Sequence, residues 1–173
     1  MRIVGGKWAG RHLTSPADRR VRPTAEHVRD EWVKLLEPDL AGVRVLDLFA
    51  GTGALGLEAL SRGAKFADFV ETRPASLHAL KANVAALHVR EKTRIFKKDA
   101  LPFAAALAEG AYDVAFADPP YGSGMLDRLI DSWRQAPFAR VFTVEHAADH
   151  ALPLRGETWD FDGTTAVTIY RAG

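Results

Sequence analysis

From residue 43 onward, short apolar runs alternate with stretches of helical period, and each run breaks at a polar or glycine-bearing turn. Val43 to Leu48 predicts a first strand running straight into Phe49-Ala50-Gly51-Thr52-Gly53-Ala54-Leu55-Gly56, with a helix to about Arg62. Phe66 to Val70 predicts a second strand ending at Glu71. The next helix, Pro74 to Leu87, sets Leu77, Leu80, Val84 and Leu87 on one face. Thr93 to Phe96 predicts a third strand that ends near Asp99, and a short helix follows Pro102. The run Tyr112 to Ala117 predicts a fourth, buried strand. Pro119 and Pro120 end it, because neither can donate a backbone N–H to a ladder. A helix from Met125 to Trp133 and a strand from Val141 to Val144, ending at Glu145, follow. Thr158–Phe161 and Ala166–Tyr170, turning through Asp162-Gly163, predict an antiparallel pair at the sheet edge. The alternation predicts an α/β fold with a mostly parallel seven-stranded sheet and helices on both faces.

Before residue 43 the pattern differs. Arg2-Ile3-Val4 and Arg11-His12-Leu13 flank Gly5-Gly6-Lys7-Trp8-Ala9-Gly10, which predicts a small β-hairpin with a basic, aromatic tip. Thr14 to Arg22 is a polar linker without a hydrophobic period. Arg22-Pro23-Thr24 starts a helix through about Leu36 with Thr24 as N-cap. Val28, Trp32, Leu35 and Leu36 form its apolar face, Arg29 and the acids lie on the others, and Pro38 ends it. The division is a basic extension, residues 1–22, on a main domain, residues 23–173.

Composition narrows the chemistry. A chain of 173 residues with 47% hydrophobic content is long enough for one proper core. The absence of cysteine excludes disulfides, thiolate zinc sites and a cysteine nucleophile, and the six histidines form no His-Glu-x-x-His cluster, so no metal is expected. No apolar run of membrane-spanning length and no signal-peptide pattern is present, which predicts a soluble, cytoplasmic protein without a membrane partner. The net charge of +1 hides an asymmetry: residues 1–34 carry +4 and the remainder −3. A basic arm on a mildly acidic body suggests contact with phosphates, although four excess charges are also compatible with a solvated surface. Trp8 is placed either to stack on a base or to pack onto the domain.

Asp118-Pro119-Pro120-Tyr121 brings a carboxylate, an oriented carbonyl and an aromatic ring to the carboxyl end of a strand, where open α/β sheets place their ligands. An exocyclic amino nitrogen of a nucleobase is a poor nucleophile because its lone pair is delocalised. Two acceptors, the Asp118 side chain and the Pro119 carbonyl, can hold its hydrogens and favour the pyramidal geometry that frees the pair. Tyr121 can stack on the base once it has left its own stack. The plainer alternative is a strand-ending turn in which Asp118 caps and Tyr121 packs.

Gly51-x-Gly53-x-x-Gly56 between strand and helix is a Rossmann-like nucleotide loop, and Glu71, twenty residues after Gly51, stands where a carboxylate accepts from ribose hydroxyls. Both also fit a dinucleotide enzyme. Asp47, within strand one, separates the readings: an acid there suits the methionine ammonium of S-adenosylmethionine and would repel a pyrophosphate. Asp99 stands where an acceptor takes an adenine amino group, or else it is a helix N-cap. Phe49 and Phe116 are assigned to the core or the cofactor-pocket wall.

Ile3-Val4-Gly5-Gly6 with Gly10-Arg11, Arg22-Pro23-Thr24 leading to Val28-Arg29, Asp47 through Ala59, the proline motif, and the terminal Ile169-Tyr170-Arg171 closely resemble the RsmD-type family. These are bacterial 16S ribosomal RNA guanine-N2 methyltransferases of class I, and the resemblance spans nearly the whole chain. It implies methyl transfer from S-adenosylmethionine, leaving S-adenosylhomocysteine, to the amino group of guanine-966 in the small subunit. It also implies cofactor contacts from Asp47, Phe49, Gly51, Thr52, Gly53, Gly56, Glu71, Thr72, Asp99 and Ala100. Catalytic roles fall to Asp118, Pro119, Pro120 and Tyr121, and RNA contacts to Lys7, Trp8, Arg11, Arg22, Thr24 and Arg29. The expected partner is 16S rRNA within an assembling 30S subunit, met by a monomer. The chain departs from the family at Arg29-Asp30-Glu31-Trp32, where a small residue and then Leu-Phe usually follow Arg-Glu. The loop after Tyr121 is also short, and uncharged until Asp127 and Arg128. The alternatives are a DNA adenine-N6 or cytosine-N4 methyltransferase, which the chain lacks an extra region to support, and a non-catalytic module that binds S-adenosylmethionine and RNA.

Overall fold

A computed structural model describes residues 1–16 and 25–173. In chain order the elements are α1 (Glu26–Leu40), β1 (Arg44–Leu48), α2 (Ala54–Ser61), β2 (Phe66–Val70), α3 (Pro74–Ala86), β3 (Thr93–Phe96), α4 (Ala100–Ala105), β4 (Tyr112–Ala117), α5 (Met125–Gln135), β5 (Ala139–Ala147), β6 (Glu157–Asp160) and β7 (Thr165–Arg171). They build one seven-stranded sheet in the order β3-β2-β1-β4-β5-β7-β6. β1 to β5 run parallel, and β7 lies antiparallel to both β5 and β6.

The sheet buries both faces because its strands alternate between two apolar layers. Val45, Val114 and Phe116 join one layer with Trp32, Leu36, Leu57, Phe69 and Leu80. Leu46, Leu48, Ala115 and Ala117 join the other with Leu129, Ile130, Trp133 and Phe142. Each such large side chain removed from water contributes roughly 1.5–3 kcal/mol. Trp32 is the keystone of the first layer: it meets Phe116 edge-on at 5.5 Å, and its indole N–H donates to Thr143 Oγ1 at 2.6 Å.

Strand order reverses between β1 and β4, so the crevice for a ligand opens above their carboxyl ends. Register aligns the strand ends there. Leu48 pairs with Val70 and with Ala117, Val70 with Phe96, and Ala117 with Val144. The residues that follow them, among them Phe49, Glu71, Asp118 and Glu145, therefore stand level.

Four expectations are corrected. The amino-terminal segment is not a hairpin of two strands: it holds a single antiparallel bridge, Arg2 to His12, and a 3₁₀ turn at Gly6–Trp8. The reason is that Val4 and Gly5 give their N–H groups to the carboxylate of Glu58, and Trp8 gives its own to Ser61 Oγ, rather than to a partner strand. Gly6 sits at φ +78, and a Cβ there would lie 2.1 Å from the Ser61 carbonyl oxygen. The extension is also continuous with the main core, since Ile3 and Leu13 are buried in it.

Second, α1 begins at Glu26 after an Ala25 cap with no side-chain bond, and it runs through Pro38 to Leu40. Proline in the last turn costs one N–H bond, and burial of Leu36 and Leu40 offsets that loss. The expected cap Thr24 lies outside the described residues. Third, Arg29 belongs to the buried face of α1. Fourth, α4 starts before Pro102, which occupies its first turn, where a missing N–H breaks nothing. β5 is longer than its apolar run because β7 pairs with it from Val141–Arg171 to Ala147–Thr165.

Candidate active site

The turn from β1 into α2 is left-handed at three places. Gly51 and Gly53 have φ of 57° and 84°, and so does one non-glycine residue, Phe49, at 57°. A bulky residue held there is uncommon and is stabilised only when its surroundings over-determine it. Glu71 supplies part of that determination: its Oε1 accepts the Gly51 N–H at 2.8 Å, and its Oε2 accepts from Thr72 and Arg73, both at 2.8 Å. The Ala50 N–H donates to the Val70 carbonyl at 3.0 Å.

The three glycines do different jobs. A Cβ at Gly51 would meet nothing within 4 Å, so the backbone there faces open space. At Gly53 it would lie 2.4 Å from Leu80 Cδ1, and at Gly56 2.5 Å from Phe69 Cε1. These two let α2 pack closely on β2 and α3. Beneath the loop, Asp47 is 1% exposed and its Oδ2 accepts the Gly56 N–H at 3.0 Å. Burial pushes its carboxyl well above the usual carboxylate range. The Gly56 N–H opposes that shift, and the nearby charges of Asp118 and Glu71 reinforce it.

A cavity of about 720 Å³ opens over the strand ends. Of the residues expected to hold cofactor, Phe49, Gly51, Thr52, Glu71, Thr72, Asp99 and Ala100 line it. Asp118, Pro119, Pro120 and Tyr121 line the same space from the β4 side. Asp47, Gly53 and Gly56 do not reach the wall; they shape the loop from behind. Asp99 precedes α4 at the N-cap position but makes no side-chain cap bond, so its carboxylate is not spent on the helix.

Sequence reasoning missed several wall residues. Met1, Ser15 and Pro16 bring the amino-terminal segment to the cavity, and Arg73, Lys98 and Arg128 add cations to it. Asn83 on α3 is buried and ties two walls together: its Nδ2 donates to the carbonyls of Thr14 and Thr52, both at 3.0 Å, and its Oδ1 accepts from the Thr14 N–H at 2.6 Å. Ser76, also buried at this wall, has an Oγ without a hydrogen bond among the described residues. Glu145, on β5 one residue past its last pair with β4, accepts the Tyr121 hydroxyl at 3.1 Å. Only Glu145 carried a legible signal, as a carboxylate at a strand end.

The expected RNA contacts divide. Lys7 and Arg11 are exposed, with Lys7 Nζ 5.6 Å from the Trp8 ring centre and Arg11 donating to the Ala86 carbonyl at 3.0 Å. Trp8 is half-buried against the core, which favours packing over stacking. Arg29 is no surface contact: it is wholly buried, with Nε 3.2 Å from Glu58 Oε1 and Nη2 donating to the Arg2 carbonyl. Arg22 and Thr24 lie outside the described residues. Among the described residues, no helix is long and apolar enough to cross a membrane, and no cluster of three or more His, Asp or Glu side chains is arranged for a metal.

Sheet order, the glycine turn and the proline motif together define a Rossmann-like class I methyltransferase fold. A family profile described as "Conserved hypothetical protein 95" matches residues 1–161. Ribosomal RNA small subunit methyltransferase D of Escherichia coli K12 is 36% identical over 180 residues, covering 99% of this chain and 89% of that protein. The protein of the same name from Haemophilus influenzae is 32% identical, covering 99% and 92%. Among solved structures, a hypothetical protein of Thermus thermophilus superposes with a TM-score of 0.78 at 32% identity, covering 99% of both chains. The chain belongs to this family, the RsmD-type methyltransferases.

Proposed function

We propose that this protein transfers a methyl group from S-adenosylmethionine to the exocyclic N2 of a guanine in 16S ribosomal RNA, guanine-966 in standard numbering. The observation that carries the reading is that Asp118-Pro119-Pro120-Tyr121 and the glycine turn after β1 line one cavity. The names of the Escherichia coli and Haemophilus relatives support a ribosomal RNA substrate of the small subunit.

The residues fit the cofactor. Gly51 leaves open space against its backbone, Ser76 offers a buried hydroxyl without a hydrogen bond among the described residues, and Glu71 and Asp99 offer carboxylates at successive strand ends. Glu71 suits the ribose hydroxyls, Asp99 the adenine amino group, and Thr52, Thr72, Phe49 and Ala100 the surrounding wall. Asp47 adds an acid behind the loop, toward the methionine end. S-adenosylmethionine, when bound, supplies an electrophilic methyl on a sulfonium.

The chain's own part is to position the acceptor nitrogen and to stabilise charge. Tyr121 stacks on the flipped guanine, whose N2 would otherwise face the minor groove of a helix. The Asp118 carboxylate and the Pro119 carbonyl accept the two N2 hydrogens, which turns the lone pair toward the cavity. The nitrogen becomes cationic as the new bond forms, and Asp118 stabilises that charge electrostatically. S-adenosylhomocysteine leaves as the neutral thioether, and no general base of shifted pKa is needed, because the proton leaves an already cationic amine to Asp118 or to water. Lys7 and Arg11 reach the RNA backbone from outside the cavity, and the chain acts as a cytoplasmic monomer on an assembling 30S particle.

The test is transfer of labelled methyl from S-adenosylmethionine to 30S particles lacking the mark, naked 16S RNA and duplex DNA, followed by digestion to nucleosides. N2-methylguanosine from particle or RNA is the expected product. Label in DNA alone would move the activity to an amino-group DNA methyltransferase. Cofactor binding without any label would leave a binding module.

A further inference from the structure

We propose that Glu145 is the positioning residue for Tyr121, fixing the ring at the angle on which the target base stacks; this rests on the RNA methyl-transfer reading above. Tyr121 is 40% exposed, and with Phe66 it is one of the two large apolar side chains in the described residues that stand out in solvent. Apolar burial therefore does little to hold its ring. Pro119 and Pro120 stiffen the backbone before it, but Gly122 and Gly124, at φ of 74° and 77°, follow it. A hold on the far end of the ring therefore bears directly on its orientation.

The far end is held. The Tyr121 hydroxyl donates to Glu145 Oε1 at 3.1 Å. Glu145 is itself 2% exposed and sits on β5, paired opposite Val167 of β7 and one residue beyond Val144, the partner of Ala117. At this point β7 pairs with β5 on one edge, one residue past the last β4 pair, so the sheet holds the backbone that carries the carboxylate. Charged side chains are seldom buried in a sheet, because desolvation is costly unless the charge accepts hydrogen bonds. A carboxylate there can accept a hydroxyl, and the one that reaches it is Tyr121's. Stacking depends on ring orientation, so this grip acts on RNA binding and not on the cofactor, whose expected contacts lie on the β1, β2 and β3 side.

The test is a double-mutant cycle read by steady-state methyl transfer to the acceptor RNA that the wild type labels, with cofactor affinity measured by calorimetry. Tyr121→Phe and Glu145→Leu are each expected to raise KM for RNA about tenfold while moving the cofactor Kd by less than about twofold. The double variant should be no worse than the poorer single one. Glu145→Gln, whose amide oxygen still accepts the hydroxyl, should restore KM to within about threefold of wild type. Additive losses, or a Tyr121→Phe enzyme with wild-type kinetics, would overturn the proposal. Tyr121→Phe keeps the ring and removes only the hydroxyl, so that arm reads even where leucine at 145 prevents folding. A wild-type enzyme that labels no RNA would remove the functional reading and this inference with it, which a normal wild type beside an uncoupled pair would not.

Discussion

Arg29 and Glu58 form an ion pair sealed from solvent on both sides, with Nε 3.2 Å from Oε1 and no exposure of either side chain. Glu58 does more than neutralise one guanidinium. Its oxygens also accept the N–H groups of Val4 and Gly5 and the Nε–H of Arg62, at 3.0, 2.9 and 3.0 Å. One carboxylate on α2, the helix that begins at the glycine turn, therefore fastens the amino-terminal segment and α1 to it.

Glu58→Ala strips the charge partner from a buried guanidinium and two N–H groups at once, so it should destabilise the fold by about 3–5 kcal/mol. Urea unfolding followed by circular dichroism measures this. A loss below about 1 kcal/mol, the range of an exposed pair, would contradict the central role given to Glu58. Glu58→Gln, which keeps an acceptor for the backbone, should lose less than Glu58→Ala.

The proposed reaction sets Asp118 against the acceptor nitrogen rather than the cofactor. Asp118→Ala should lower kcat about 10²–10³-fold, the usual cost of removing a group aimed at transition-state charge. Cofactor Kd, measured by calorimetry, should change little. A variant that loses cofactor binding yet turns over normally at saturation would reverse the assignment.

Asp47 carries a pH dependence whose sign follows from its burial. Its carboxyl is held above the ordinary value of 3.8 in the folded chain, chiefly by desolvation. A group raised in the folded state contributes stability that is complete below the unfolded pKa and is lost as pH rises through the folded one. Asp47→Asn keeps an acceptor for the Gly56 N–H and carries no charge. It should therefore raise Tm by a few degrees at pH 7 to 8, with the gain shrinking to nothing as pH falls toward 4. A constant gain or loss across that window would refute the burial argument.

Asn83 joins Thr14 and Thr52 through three hydrogen bonds. Asn83→Ala leaves those backbone groups without their partner, at a cost of about 1–3 kcal/mol in stability. Because Thr52 lines the cavity, cofactor Kd should weaken as well. Calorimetry and thermal unfolding on one preparation separate the two effects, and an unchanged Kd would confine Asn83 to the scaffold.

The strand ends were legible because their chemistry is local: a carboxylate or a proline pair after an apolar run is visible without knowing what packs on it. Glu71, Asp99 and Asp118 meet in one cavity for that reason. Arg29 was misplaced because its partner, Glu58, lies 29 residues away on another helix, and a helical wheel scores any arginine as surface. Pro38 misled in the opposite direction, since the buried Leu40 beyond it holds the final turn of α1 against the local preference. The hairpin expectation failed at Val4 and Gly5, whose donors are claimed by that same distant glutamate. Asn83 gave no warning at all: an asparagine in a helix looks ordinary until the two backbones beside it are known.

The position of β7 between β5 and β6 has a consequence for synthesis on the ribosome. β6 emerges from the exit tunnel before β7 and has no other neighbour in the sheet, so it must wait unpaired for a strand not yet made. Until then, the edge of β5 stays bare beside Phe142 and Val144, which are buried in the finished sheet. The turn that ends the wait is prepared in advance, since Asp162 Oδ1 gathers the N–H groups of Thr164 and Thr165 at 2.9 and 2.7 Å. Nascent chains arrested short of Thr165 should consequently engage chaperones and aggregate, and those arrested after Arg171 has cleared the tunnel should not.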